Sequence, residues 1–139
     1  MGTNCKFRVI EADRNIIVAQ VYSQYDGYPT GLPKRIIKWL NKGVVGNGIP
    51  SSLKPNDVFF NGATDLAVQL VIRCKMEQCS SITEPGGIYL INDSPTIYTY
   101  DIIVDEEHNQ IEFIGYNDCD QQIFGGTLGT CLMELQEIV

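Results

Sequence analysis

Cys5-Lys6-Phe7-Arg8-Val9, then Ala12-Asp13-Arg14-Asn15, then Ile16-Ile17-Val18-Ala19-Gln20-Val21-Tyr22: the reading of this stretch decides the fold. The first run alternates apolar and polar residues, the period of a half-buried strand. The middle four are turn residues. The third run returns as a strand from 16 to about 25, with Ile17, Ala19 and Val21 on one face and Gln20, Tyr22 and Gln24 on the other. Ile16 and Val18 share that second face, so it is expected to be only partly wet. Two such runs about a tight turn predict an antiparallel hairpin. The same signature recurs at 97 to 104 and 111 to 116, joined at Glu106-Glu107-His108-Asn109.

Between the hairpins the period changes. Tyr25-Asp26-Gly27-Tyr28-Pro29-Thr30-Gly31 is a structured loop, because its glycines reach positive φ cheaply and Pro29 pushes Tyr28 out of the helical region. A helix is predicted from Leu32 to Asn41, with Pro33 tolerated in its first turn and Gly43 just past its end. Residues 46 to 52 read as the loosest stretch. A second helix is expected over 63 to 77 with Asn61 as its N-cap and Leu66, Ala67, Leu70, Val71 and Cys74 facing the core. Val68 and Ile72 widen that face, which predicts a well-buried helix. A strand over 88 to 91 ends at the breaker Asn92-Asp93-Ser94-Pro95. A short strand at 123 to 127 leads to a terminal helix capped by Thr127, in which Leu128, Cys131, Leu132 and Leu135 recur at helical spacing. The expectation is one α+β domain over residues 1–139, in two layers, with a mainly antiparallel sheet and about three helices packed on it. The strand from 97 to 104 is a candidate edge, able to pair across a two-fold axis in a homo-oligomer.

Composition removes several functional classes. The chain has 139 residues and a formal charge of −7, which repels a phosphate backbone and disfavours general nucleic-acid binding. No apolar run is long enough to span a bilayer, and the start Met1-Gly2-Thr3-Asn4-Cys5-Lys6 has no apolar core of a secretory leader. Cys5, Cys74, Cys79, Cys119 and Cys131 are odd in number and irregular in spacing, as expected of reduced thiols in a cytoplasmic protein.

The opening Met1-Gly2-Thr3-Asn4-Cys5 and the later Tyr22-Ser23-Gln24-Tyr25-Asp26-Gly27-Tyr28-Pro29-Thr30-Gly31 together resemble a group of small uncharacterised proteins from bacteria, phages and protists. Those proteins begin Met-Gly-Thr and carry Asp-Gly-Tyr-Pro ahead of a helix. The resemblance covers roughly the first 45 residues. Many of the group have a basic residue and a histidine where this chain has Ser23 and Gln24, so a mechanism needing that histidine does not transfer. The resemblance implies a shared fold and a shared loop, and by analogy a role in host–virus interaction.

The loop is the sharpest candidate site. Asp26 can serve as an anion or, in an enzyme, as a general base; Tyr25 and Tyr28 offer stacking faces and hydroxyls; the helix start behind them offers N–H groups to an anion. The structural alternative is turn chemistry, with Asp26 bonded to backbone amides and the tyrosines roofing the core. Lys34, Lys38 and Lys42, with Arg35 beside them, form a basic stripe suited to a phosphate or an acidic partner, or an ordinary solvated face. Gly43-Val44-Val45-Gly46-Asn47-Gly48 lacks the Gly-Lys-Ser/Thr of a phosphate loop and reads as a helix cap followed by a flexible link. Cys74, Cys79, His108 and Cys119 lack zinc spacing, so neither a metal nor another cofactor is expected. His108 reads as an exposed turn residue favouring its protonated form. Asp101 with Asp26, or Asp118 with Asp120, are the carboxylate pairs available for acid–base work.

The leading expectation is a non-enzymatic binding module for a small anionic, nucleotide-like ligand or a partner protein, with Tyr25, Asp26, Tyr28, Lys34 and Lys38 as its contacts. A metal-independent hydrolase or transferase using Asp26, and an oligomeric adaptor, are the alternatives. A flat face around Tyr22, Tyr25 and Trp39 would mark a protein partner.

Overall fold

The computed structural model describes residues 2–91 and 93–136. Its elements are β1 (Cys5–Glu11), β2 (Ile16–Ser23), α1 (Leu32–Asn41), β3 (Val44–Gly46), β4 (Phe59–Asn61), α2 (Gly62–Gln78), β5 (Ile88–Leu90), β6 (Tyr98–Asp105), β7 (Gln110–Tyr116), β8 (Gln122–Thr127) and α3 (Leu128–Gln136). The fold is α+β. A six-stranded mixed sheet, mainly antiparallel, runs in the order β5-β2-β1-β6-β7-β8, and β3 and β4 form a separate parallel pair. Asn92, part of the expected breaker after β5, lies outside the described residues, as do Met1 and residues 137–139.

β1 pairs antiparallel with β2, and β6 antiparallel with β7. Both connecting turns end on an asparagine in the left-handed region, Asn15 at φ 52° and Asn109 at φ 53°, a conformation asparagine tolerates better than most residues. The join between the two pairs is parallel: β1 lies beside β6, with Arg8 opposite Asp101. Parallel neighbours need a long crossover, and the chain between β2 and β6, with α1, α2 and β5, supplies it. This overturns the expectation that 97 to 104 is an edge. β6 is bonded on both sides, and the sheet's outer strands are β5 and β8.

Phe7 and Val9 of β1, Val21 of β2, Tyr100, Ile102 and Val104 of β6, and Phe113 and Phe124 of β7 and β8 share one apolar cluster with all three helices. Ring contacts centre on Tyr100, whose centroid lies 5.6 Å from Phe7, 5.7 Å from Phe113 and 6.1 Å from Phe124. From α1 the cluster takes Leu32, Ile36, Ile37 and Leu40; from α2, Leu66, Leu70 and Cys74; from α3, Leu128, Cys131 and Leu135. Thr127 caps α3 as its sequence predicts, its Oγ1 accepting the Thr130 N–H at 3.2 Å.

α2 departs from expectation twice. Asn61 precedes the helix, but its side chain makes no capping bond. Asn61 Oδ1 accepts instead from the Gly48 N–H at 2.7 Å, and Glu106, from the β6–β7 turn, accepts the Ala63 N–H at 2.9 Å. The helix is also less buried than its composition suggests. Val68 is 61% exposed, Ile72 44% and Met76 57%, at spacing i, i+4, i+8 down one side. The core takes the side carrying Ala63, Leu66, Ala67, Leu70 and Cys74, with Val71 packed against it, because the sheet and α1 cover one side of the helix.

Residues 44–46 are not a flexible link. They pair with β4 in register, Val45 opposite Phe60, and the side chains of Val45 and Phe60 are buried. Among the described residues no helix is long and apolar enough to cross a membrane.

Candidate functional site

The loop of residues 25–31 is fixed from several directions. Gly27 donates its N–H to Thr3 O at 2.8 Å and accepts the buried Tyr100 hydroxyl on its carbonyl at 2.7 Å. The Tyr25 carbonyl accepts from Ser23 Oγ and from Gln78 Nε2, each at 2.9 Å. Asp26 sits at φ 58°, and its carbonyl accepts the first N–H of α1, that of Leu32, at 2.7 Å. Two glycines are required by close approach. A side chain on Gly27 would lie 2.7 Å from the Asn4 carbonyl carbon, and one on Gly31 2.5 Å from the Asp26 carbonyl oxygen. The amino-terminal motif and the loop motif touch each other, since a side chain on Gly2 would collide with the Tyr25 ring.

On this frame Tyr25 is 48% and Tyr28 43% exposed, so the phenols are not sealed in the core. Among the described residues no main-chain amide bonds the Asp26 carboxylate. It faces Arg35, Oδ2 to guanidinium at 3.7 Å. Arg35 in turn reaches Glu77 at 3.6 Å and Gln78 at 3.3 Å, and Glu77 meets Arg73 at 3.4 Å. A ladder of alternating charge thus runs from the loop along α2.

The start of α1 is a poor anion site. A helix start attracts anions through its free N–H groups. Here the Leu32 N–H is taken by the Asp26 carbonyl, and Pro33 has none. The residue that turns toward the loop is Arg35, which was expected only to flank the stripe. Lys34 is half-buried and Lys38 exposed. Helical rise carries Lys38 about 6 Å and Lys42 about 12 Å beyond Lys34, away from the loop. Lys42 lines a different concavity, described below.

The other candidates disperse. Asp101 does not meet Asp26; both its oxygens are bound by Arg8, at 2.6 and 2.9 Å. Asp118 and Asp120 belong to a polar turn organised by Asn117 Oδ1, which accepts from the amides of Cys119 and Gln121. Trp39 is buried edge-on against Phe60, and Tyr22 stacks on Tyr89, so no flat face unites them with Tyr25. Asp105 bonds His108 Nδ1 at 2.8 Å and raises its pKa, with Glu107 adding to the effect. Burial raises the pKa of the Cys5 thiol, with Cys74 adding to the effect, and burial pushes the Cys131 thiol up to about 12. Among the described residues no group of three or more His, Cys, Asp or Glu side chains is placed to hold a metal.

Sequence reasoning missed one feature. The excursion between β3 and β4 borders an open concavity of about 920 Å³, lined by Lys42, β3, residues between 47 and 58, and Phe59. The available signal was the pair Val44-Val45 and the pair Phe59-Phe60, two short apolar runs flanking a polar stretch.

Set beside protein-family models, curated proteins and solved structures, the chain shows no match to any of the three.

Proposed function

We propose that this chain is a non-enzymatic binding module that engages a partner protein through the loop of residues 25–31 itself, without the Tyr22 and Trp39 face that the sequence suggested. The observation that carries the proposal is the half-exposure of Tyr25 and Tyr28 on a backbone held by hydrogen bonds from β6, α2 and the amino-terminal segment. Tyrosine and arginine are the residue types that dominate binding energy at protein interfaces. A loop already fixed in place loses little entropy when a partner docks. The ladder of Asp26, Arg35, Glu77 and Arg73 supplies a charged rim that selects for complementary charge. A hydrolase or transferase built on Asp26 is the weaker reading, because acid–base work calls for a second titratable group in a closed cleft, and the neighbour of this carboxylate is a guanidinium.

The free cysteines support a reducing, cytoplasmic compartment as part of the proposal. The likeness of the first residues to small bacterial, phage and protist proteins gives host–virus contact as its setting.

Native mass spectrometry of the chain purified from its own cells tests the proposal. Tyr28→Ala removes one ring, and Asp26→Asn removes the charge while keeping a residue that tolerates positive φ. A protein retained by the wild type and lost from both variants, with circular dichroism unchanged, supports the reading. Equal retention by wild type and variants, or no retained partner, rejects it.

A further inference from the structure

The concavity beside β3 has properties that the loop lacks. Its volume, about 920 Å³, lies in the range of small-molecule pockets. Apolar side chains supply much of the wall, among them Val44, Ile49, Leu53 and Phe59. Side-chain amides fasten its walls to the rest of the fold. Asn109, its amide oriented by the acceptors it faces, donates to Val45 O at 3.0 Å and Glu106 O at 3.1 Å. Gln69 Nε2 donates to Phe59 O at 2.9 Å, and Asn61 Oδ1 holds the Gly48 N–H. Gly48 is at φ +98° with open space around it, which lets the chain turn there without strain. These bonds hold β3, the turn at Gly48 and Phe59 in place without a ligand.

Its two charged groups differ in what they already hold. The lining contains one cation, Lys42, and one anion, Asp57. The Asp57 carboxylate is turned to the Lys54 N–H at 2.9 Å. No ion pair among the described residues engages Lys42. At the adjoining end of α1 the carbonyls of Trp39 and Leu40 accept from the backbone N–H groups of Lys42 and Gly43. An apolar pocket with a single available ammonium at its border is complementary to a molecule with an apolar body and one acidic group.

We propose that this concavity binds a small organic anion, its apolar body against Ile49, Leu53 and Phe59 and its acidic group at Lys42. The site is independent of the loop of residues 25–31, and either can fail without the other.

Fluorescence titration of the full chain with 8-anilinonaphthalene-1-sulfonate tests it, with the uncharged N-phenyl-1-naphthylamine as the matching probe. The wild type should bind the sulfonate saturably. Lys42→Met, which keeps the side-chain stem, should weaken the sulfonate about tenfold, as loss of one charge-assisted contact does, and leave the neutral probe within about twofold. Leu53→Glu, an exposed position, should weaken both probes, whereas Tyr28→Ala should change neither. Near-ultraviolet circular dichroism from the buried Trp39 checks that each variant is folded. The proposal is overturned if the wild type shows no saturable binding, or if Lys42→Met binds the sulfonate as the wild type does. It is equally overturned if Met76→Lys abolishes binding while Leu53→Glu does not, because the dye then sits on the apolar stripe of α2.

Discussion

The Tyr100 hydroxyl, at the centre of the sheet, donates to the carbonyl of Gly27 at 2.7 Å inside the core. One hydrogen bond thereby couples the middle strand β6 to the loop that presents Tyr25 and Tyr28. Burial pushes the phenol pKa up, which favours the protonated, donating hydroxyl. Tyr100→Phe keeps the ring contacts and leaves the Gly27 carbonyl without this partner. The expected cost is about 1–3 kcal/mol, read as a lower urea midpoint. An unchanged midpoint would show that the bond does not hold the loop.

Arg8 and Asp101 face each other across the parallel join of β1 and β6, bonded through two parallel contacts at 2.6 and 2.9 Å, with Asp101 buried. Arg8→Met strands the carboxylate and should cost about 3 kcal/mol. Adding Asp101→Leu should recover most of that loss, since an apolar pair of similar volume replaces an ion pair at little net cost. Urea denaturation of both single variants and the double variant gives the coupling. A cost below about 1 kcal/mol for Arg8→Met would mean that water reaches the carboxylate.

Glu106 caps α2 from a turn far away in the chain. Glu106→Ala should lower stability by about 1 kcal/mol, the usual worth of a helix N-terminal acceptor. Gly62→Ala should cost more. Gly62 sits at φ +82°, and a side chain there would lie 2.5 Å from Glu106 Oε1, so the substitution strains the backbone and displaces the cap together. If thermal unfolding ranks the two variants the other way, Glu106 matters for something other than capping.

His108 and Asp105 give the turn between β6 and β7 a pH response. Asp105 raises the His108 pKa, and His108 lowers that of Asp105. A raised histidine pKa stabilises the fold fully below the ordinary value of about 6.5, and that contribution is lost as pH rises through the folded value. A lowered aspartate pKa stabilises above its ordinary value of about 3.9, and that contribution is lost as pH falls through the folded value. The pair therefore stabilises the turn between these limits. Proton NMR of the imidazole should show a pKa above 6.5 in the wild type and a return toward it in Asp105→Asn. An unaltered titration in the variant would assign the shift to Glu107 instead.

Local chemistry made much of the secondary structure legible. The alternation around Phe7 and Val9, the turns ending at Asn15 and Asn109, Pro33 in the first turn of α1 and Thr127 ahead of α3 each act within a few residues, so one segment carries the information. The failures involve partners distant in sequence. Asn61 has the right residue type for a cap, yet Gly48 claims its side chain and Glu106 takes over. Val68 and Ile72 are apolar in a helical pattern, and only the placement of the sheet decides that they face out. The Tyr25–Tyr28 loop was recognisable from its glycines and proline, but that Arg35 would reach Asp26 depended on where α2 brings Glu77 and Gln78.

The amino-acid sequence by itself determined the antiparallel pairs β1–β2 and β6–β7, the three helices and a structured bend between β2 and α1, because backbone sterics and side-chain period act over short range. Tertiary structure alone decided the parallel seam between β1 and β6, the confinement of Asp101 by Arg8, and the concavity beside the β3–β4 pair. Each of those depends on contacts between residues well separated in the chain, and their geometry exists only once the core has packed.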